Sequence, residues 1–97
     1  MIGSNLGTIP IYRSISENYT KFYDLPLGLY FIPYDTINRF SDRPVKNSAS
    51  AALWVWYSTF ADIRVGILVQ ADSNAIFVGR TWGTDKITWS KVDTTNL

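Results

Sequence analysis

The side chains able to do acid–base chemistry in this chain are carboxylates and little else. They are Glu17, Asp24, Asp35, Asp42, Asp62, Asp72, Asp85 and Asp93, and there is no histidine and no cysteine. Without imidazole or thiol the chain lacks the commonest general base, the usual thiol nucleophile and the best borderline-soft metal ligands. Carboxylate pairs alone can hydrolyse glycosides, and Asp35 with Asp85 would be such a pair. No spacing singles that pair out, and all eight acids fall at helix starts, turns or chain ends, where ordinary turn chemistry explains them. No EF-hand-like run of oxygen ligands is present. The expectation is a protein that is not an enzyme and holds no metal or other cofactor.

The other chemistry on offer is aromatic. The chain has four Trp, six Tyr and five Phe. Exposed indole and phenol rings stack on the C–H faces of sugars while neighbouring polar groups bind hydroxyls. The candidate ligand-binding residues are therefore Trp54, Trp56 and Trp82, with Arg80 and Asp85 as polar partners. Trp82-Gly83-Thr84-Asp85 reads as a loop tip that rigid strands can display. The competing reading for each tryptophan is core or subunit packing, because large aromatics are buried on average.

Positioning those residues requires a sheet. Segments 52–58, 64–70, 75–81 and 86–92 are rich in β-branched and aromatic residues and are separated by turn clusters. Their short spacing predicts an antiparallel meander, with Ala71-Asp72-Ser73-Asn74 as one of the turns. Segment 27–32 predicts a fifth strand, stopped by Pro33. Segment 14–25 predicts a short helix: Ser14 and Glu17 have capping-box spacing, and Ile15, Tyr19, Phe22 and Tyr23 share one face. The expected fold is thus α+β and mostly β, a short N-terminal helix packed on a mainly antiparallel sheet of about five strands. Residues 1–13 read as a lead-in arm or linker, or as a strand lent to a neighbour, and 14–97 as one domain. The 34–50 stretch reads as a long loop that buries Ile37, Phe40 and Val45 against the sheet and leaves its polar residues for recognition.

Alternation along the first of these strands puts Trp54 and Trp56 on one face and Leu53, Val55 and Tyr57 on the other. Both faces are apolar, which is unusual for a sheet with one side in water. Either both faces are covered, one of them by a neighbouring subunit, or one face binds a ligand. Gly66 and Gly79 fall on adjacent strands, leaving room for a bulky partner such as Trp54 or Trp89.

Composition narrows the partners. In 97 residues the formal charge is +1 with no run of like charges, so neither a nucleic-acid stripe nor a polybasic membrane patch is expected. The apolar stretches are strand-sized, far below the ~20 residues of a bilayer-spanning helix. Met1-Ile2-Gly3-Ser4 lacks the pattern of a secretory signal.

The order of motifs resembles the knob domains of bacteriophage tail fibres and R-type pyocin fibres. Leu27-Gly28-Leu29-Tyr30 corresponds to their "G-x-Y" strand, Val69-Gln70 to a central strand ending in Gln, and Ile76-Phe77-Val78-Gly79-Arg80-Thr81 to a strand ending in "R-T". Trp89-Ser90-Lys91-Val92 matches the end of their closing "W-x-x-W-x-K", of whose two tryptophans Ile87-Thr88-Trp89 keeps only the second. The resemblance spans residues 14 to 93. It implies a non-catalytic, trimeric receptor-binding tip domain, carried on a virion and extracellular after release, that contacts a host cell-surface polysaccharide. It equally admits a structural or assembly domain of the fibre with no host contact.

Overall fold

The computed structural model describes residues 9–45, 51–60, 63–72 and 75–95. Six strands form one sheet in sequential order: β1 (Ile11–Tyr12), β2 (Gly28–Ile32), β3 (Ala52–Phe60), β4 (Ile63–Gln70), β5 (Ile76–Trp82) and β6 (Thr88–Val92). From β2 to β6 every pairing is antiparallel, as the short connections require. β1 instead runs parallel to β2, with Ile11 opposite Leu29 and Tyr12 opposite Tyr30. Of the arm expected over 1–13, this two-residue strand is therefore part of the sheet, while residues 1–8 lie outside the described residues. The sheet is mixed and has six strands, not about five.

The expected helix over 14–25 is absent, and the fold is mostly β rather than a helix laid on a sheet. Within that segment only Phe22–Asp24 form a 3-10 turn. The reason is competition for backbone donors. In a helix Phe22 N–H and Tyr23 N–H would bond to carbonyls four residues back. Here they donate to the two carboxylate oxygens of Asp42, at 2.8 and 3.2 Å. Upstream, Asn18 N–H donates to Ser16 Oγ and Tyr19 N–H to the Ser16 carbonyl, a local turn of the kind that Ser and Asn favour over helix. The apolar pattern still does its work without the helix: Phe22 is fully buried, and Ile15, Tyr19 and Tyr23 pack against the core.

The second connection, after β2, opens with a single helical turn at Tyr34–Ile37 and then folds back over the sheet. Ile37 and Phe40 are buried and Val45 is packed against them, as expected of that loop; residues 46–50 lie outside the described residues. The two connections are tied together by Ser41 N–H to the Thr20 carbonyl at 2.9 Å and by the Arg39 guanidinium to the Ser16 carbonyl at 3.1 Å.

Cross-strand register divides the sheet into two faces. Gly28, Trp56, Gly66, Gly79 and Trp89 stand opposite one another along one row, and Tyr30, Trp54, Leu68 and Phe77 along the next. This face receives Phe22, Leu25, Ile37 and Phe40 from the two connections and is the core. Aromatic contacts dominate it. The Phe22 ring lies 4.6 Å from Phe40 and 4.9 Å from Trp54, and Trp54 stacks on Trp56 at 5.2 Å. Trp89 closes the cluster 5.5 Å from Trp54, and its indole N–H donates to the Asp42 carbonyl at 2.7 Å. The glycines make the room anticipated for them. A methyl at Gly66 would overlap the Trp54 ring, and one at Gly79 would come within 2.8 Å of Ile87 and 3.0 Å of Trp89.

Among the described residues, no connection packs on the opposite, open face. Leu29, Phe31, Leu53, Val55, Val65, Ile67, Val69, Ile76 and Val78 alternate with the core residues, so they point to this side. Phe31, Leu53, Val65 and Ile67 are each exposed there.

Candidate functional site

The structure divides the five expected ligand-binding residues in two. Trp54 and Trp56 are 0% exposed, so neither has ring surface to offer a ligand, and their assignment to a binding site is corrected to the core. Alternation correctly put both on one face, but the connections from Phe22–Leu25 and Ile37–Phe40 cover that face. Their indole N–H groups are buried without a hydrogen-bond acceptor, and the Arg64 guanidinium lies 5.9 Å from the Trp56 ring. Trp82, Arg80 and Asp85, by contrast, are all exposed.

Trp82 is 74% exposed at the end of β5, on the open face. Register aligns it with Ile63 of β4, which in turn lies opposite Phe60 of β3. One row back, Arg80 faces Val65, and Val65 faces Tyr57. With strands ~4.8 Å apart, Phe60 and Trp82 stand roughly 10 Å from each other across β4, as do Tyr57 and Arg80. Phe60 is 69% exposed and Tyr57 53%. These six side chains make an aromatic corner on the open face. The corner is bounded by the 83–86 turn, which carries Asp85. Gly83, at φ 69°, allows that turn its left-handed start.

Two residues of this corner, Tyr57 and Phe60, were not among the expected site residues. Tyr57 was within reach, because strict alternation places it opposite the Trp54 face. Phe60 was not, since alternation alone would put it on the same side as Trp54. A β-bulge between Ser58 and Phe60 reverses it, pairing Ser58 with Arg64 and Phe60 with the neighbouring Ile63. The bulge is held by Ser58 Oγ, which donates to the Ile63 carbonyl at 2.8 Å and accepts from Phe60 N–H at 3.2 Å. No residue type at 58–60 announces such a shift.

Polar groups elsewhere serve the fold. The Arg64 guanidinium lies 4.5 Å above the Tyr23 ring and donates to the Tyr23 carbonyl at 3.0 Å, fastening the first connection to β4. Tyr30 OH donates to the Pro26 carbonyl. Burial, and then the neighbouring Tyr12 and Tyr19, push the Tyr30 phenol well above the ordinary tyrosine range. Among the described residues no group of three or more acidic side chains is placed to hold a metal ion. Among them, too, no helix is long and apolar enough to cross a membrane.

Comparison with protein-family models, with curated proteins and with solved structures found no significant match.

Proposed function

We propose that this chain is the receptor-binding tip domain of a phage-type tail fibre, non-catalytic, gripping a host cell-surface polysaccharide through the aromatic corner. The observation that carries the reading is the exposure of Trp82, Phe60 and Tyr57 together with Arg80 at one end of a rigid sheet. Flat rings held on β3 and β5, on either side of β4, suit stacking against sugar C–H faces, and a guanidinium and a carboxylate at the margin suit hydroxyl and acidic groups. A span of roughly 10 Å between Phe60 and Trp82 matches about two successive sugar rings along a chain. The motif order set out above supplies the fibre context, including a trimeric assembly on the virion, for which neither nucleic acid nor membrane is a partner. Several copies at a fibre tip would add avidity to weak single sites.

The test is binding of the 97-residue chain to an array of bacterial capsular and wall polysaccharides, wild type against Trp82→Ala. Loss of a stacking ring should weaken binding by about tenfold, the equivalent of ~1.4 kcal/mol, with the circular dichroism spectrum unchanged. Equal binding by both forms would remove Trp82 from the site.

A second reading, a structural or assembly domain of the fibre, is favoured by the apolar remainder of the open face. It expects no polysaccharide on the array to bind either form.

A further inference from the structure

We infer that the aliphatic part of the open sheet face is a self-association surface, occupied by the same face of another copy of this chain. An antiparallel sheet with one side in water normally alternates apolar-in with polar-out. Here the outward residues of the four central strands are Leu29, Phe31, Leu53, Val55, Ile67 and Val78 with their β-branched neighbours. Among the described residues, Arg80 is the one charged side chain on that face from β2 to β5, and it sits at the aromatic corner. A sheet buries an apolar face against a second layer, and among the described residues no such layer lies on this face.

Area and charge identify the occupant. The 36 residues of the six strands, at a rise of ~3.3 Å and a spacing of ~4.8 Å, present roughly 570 Å² with the aromatic corner included, before side-chain relief is counted. That is some two thirds of the ~800 Å² per partner of a standard protein interface and lies at the top of the ~300–600 Å² that a monomer ordinarily leaves bare. A face without charge has no electrostatic complement to recruit a polar partner, and an uncharged aliphatic surface is complementary to itself. Two sheets packed ~10 Å apart through such faces make an ordinary β-sandwich core. Of the segments outside the described residues, 46–50 is Lys-Asn-Ser-Ala-Ser and 1–8 has Met1, Ile2 and Leu6 as its large apolar side chains.

The inference replaces the oligomeric part of the proposed function, because a face that meets the same face of another copy pairs chains two by two rather than in threes, and it is independent of glycan recognition. The mass of the 97-residue chain by light scattering over a micromolar concentration series should be twice the chain mass. Ile67→Lys, at the centre of the face, should reduce it to a single copy with the sheet spectrum kept, while Trp82→Ala should leave it unchanged. Because a lysine there risks the fold, a second measurement uses the absence of native cysteine. The thiol of Ile67→Cys should react with maleimide about tenfold more slowly than that of Ser14→Cys, an exposed position outside the strands. A single-copy mass for the wild type, a multiple mass that survives in folded Ile67→Lys, or equal labelling rates would each overturn the inference. A single copy that still binds polysaccharide through Trp82 would overturn it and leave the receptor-binding reading standing.

Discussion

The Trp54 indole lies directly on Gly66, so closely that the glycine has no room for a methyl group. Gly66 faces Trp56 in the β3–β4 ladder, and Trp54 stacks on Trp56 at 5.2 Å, so one missing side chain makes room for the centre of the aromatic core. Gly66→Ala therefore forces the ring off its seat and should cost at least the ~1–3 kcal/mol of core overpacking. Trp54→Ala should cost ~3–5 kcal/mol. Urea unfolding of the two single variants and the double variant checks this. In the double variant the alanine methyl fills part of the hole, so the two losses should sum to more than is measured.

Asp42 holds three elements at once. Its carboxylate takes the N–H groups of Phe22 and Tyr23, and its carbonyl takes the Trp89 indole. Asp42→Ala would leave both backbone donors of a part-buried turn without their acceptor and should cost ~1–3 kcal/mol. Asp42→Asn keeps one acceptor oxygen and should lose less. Denaturation midpoints of the two variants give the order, and equal losses would show that the carboxylate does not hold the turn.

Tyr30 makes the fold sensitive to alkali. Its phenol is raised above the usual value of 10.0 by burial, so the folded state keeps its proton where the unfolded chain would release it. The stabilisation is fully present below pH 10 and falls as pH rises above it, because unfolding then releases a proton. Denaturant midpoints followed from neutral pH to above 10 should decline more steeply for the wild type than for Tyr30→Phe. At neutral pH the variant should be less stable by ~0.5–1.5 kcal/mol, the loss of the bond to the Pro26 carbonyl.

The four tryptophans should separate optically. Trp54 and Trp56 are sealed, Trp89 is partly covered and Trp82 stands out in solvent. Iodide should quench a fraction of the fluorescence that disappears in Trp82→Phe, and a polysaccharide held at the aromatic corner should protect that same fraction. Quenching that is unchanged in Trp82→Phe would place the accessible ring elsewhere.

How much of this was legible from the residues varies by element for physical reasons. Strands β3 to β5 were, since runs such as Val65-Gly66-Ile67-Leu68-Val69 suit a sheet in almost any surroundings. So was the pairing of bulky rings with Gly66 and Gly79, because a strand glycine asks for a close neighbour. The 14–25 segment was misread because the acceptor that outcompetes its helix, Asp42, is distant in sequence and its effect is purely tertiary. The same distance hid the covering of Trp54 and Trp56, whose face was readable but whose lid was not. Tyr57 required only parity. Phe60 required knowing that Ser58 would bond to its own neighbours and shift the register by one.

The sequential strand order has a kinetic consequence. Each pairing from β3 to β6 closes only a short turn, so the conformational entropy lost before each contact forms is small. These hairpins can zip one after another from any starting point. The two long closures are those joining β1 to β2 and β2 to β3, across residues 13–27 and 33–51. The meander should thus assemble early and β1–β2 join late, so that the lid sealing Trp54 arrives after the face beneath it is built. During that interval the nascent sheet is sticky on both sides, and chains growing close together would meet through the face that stays bare.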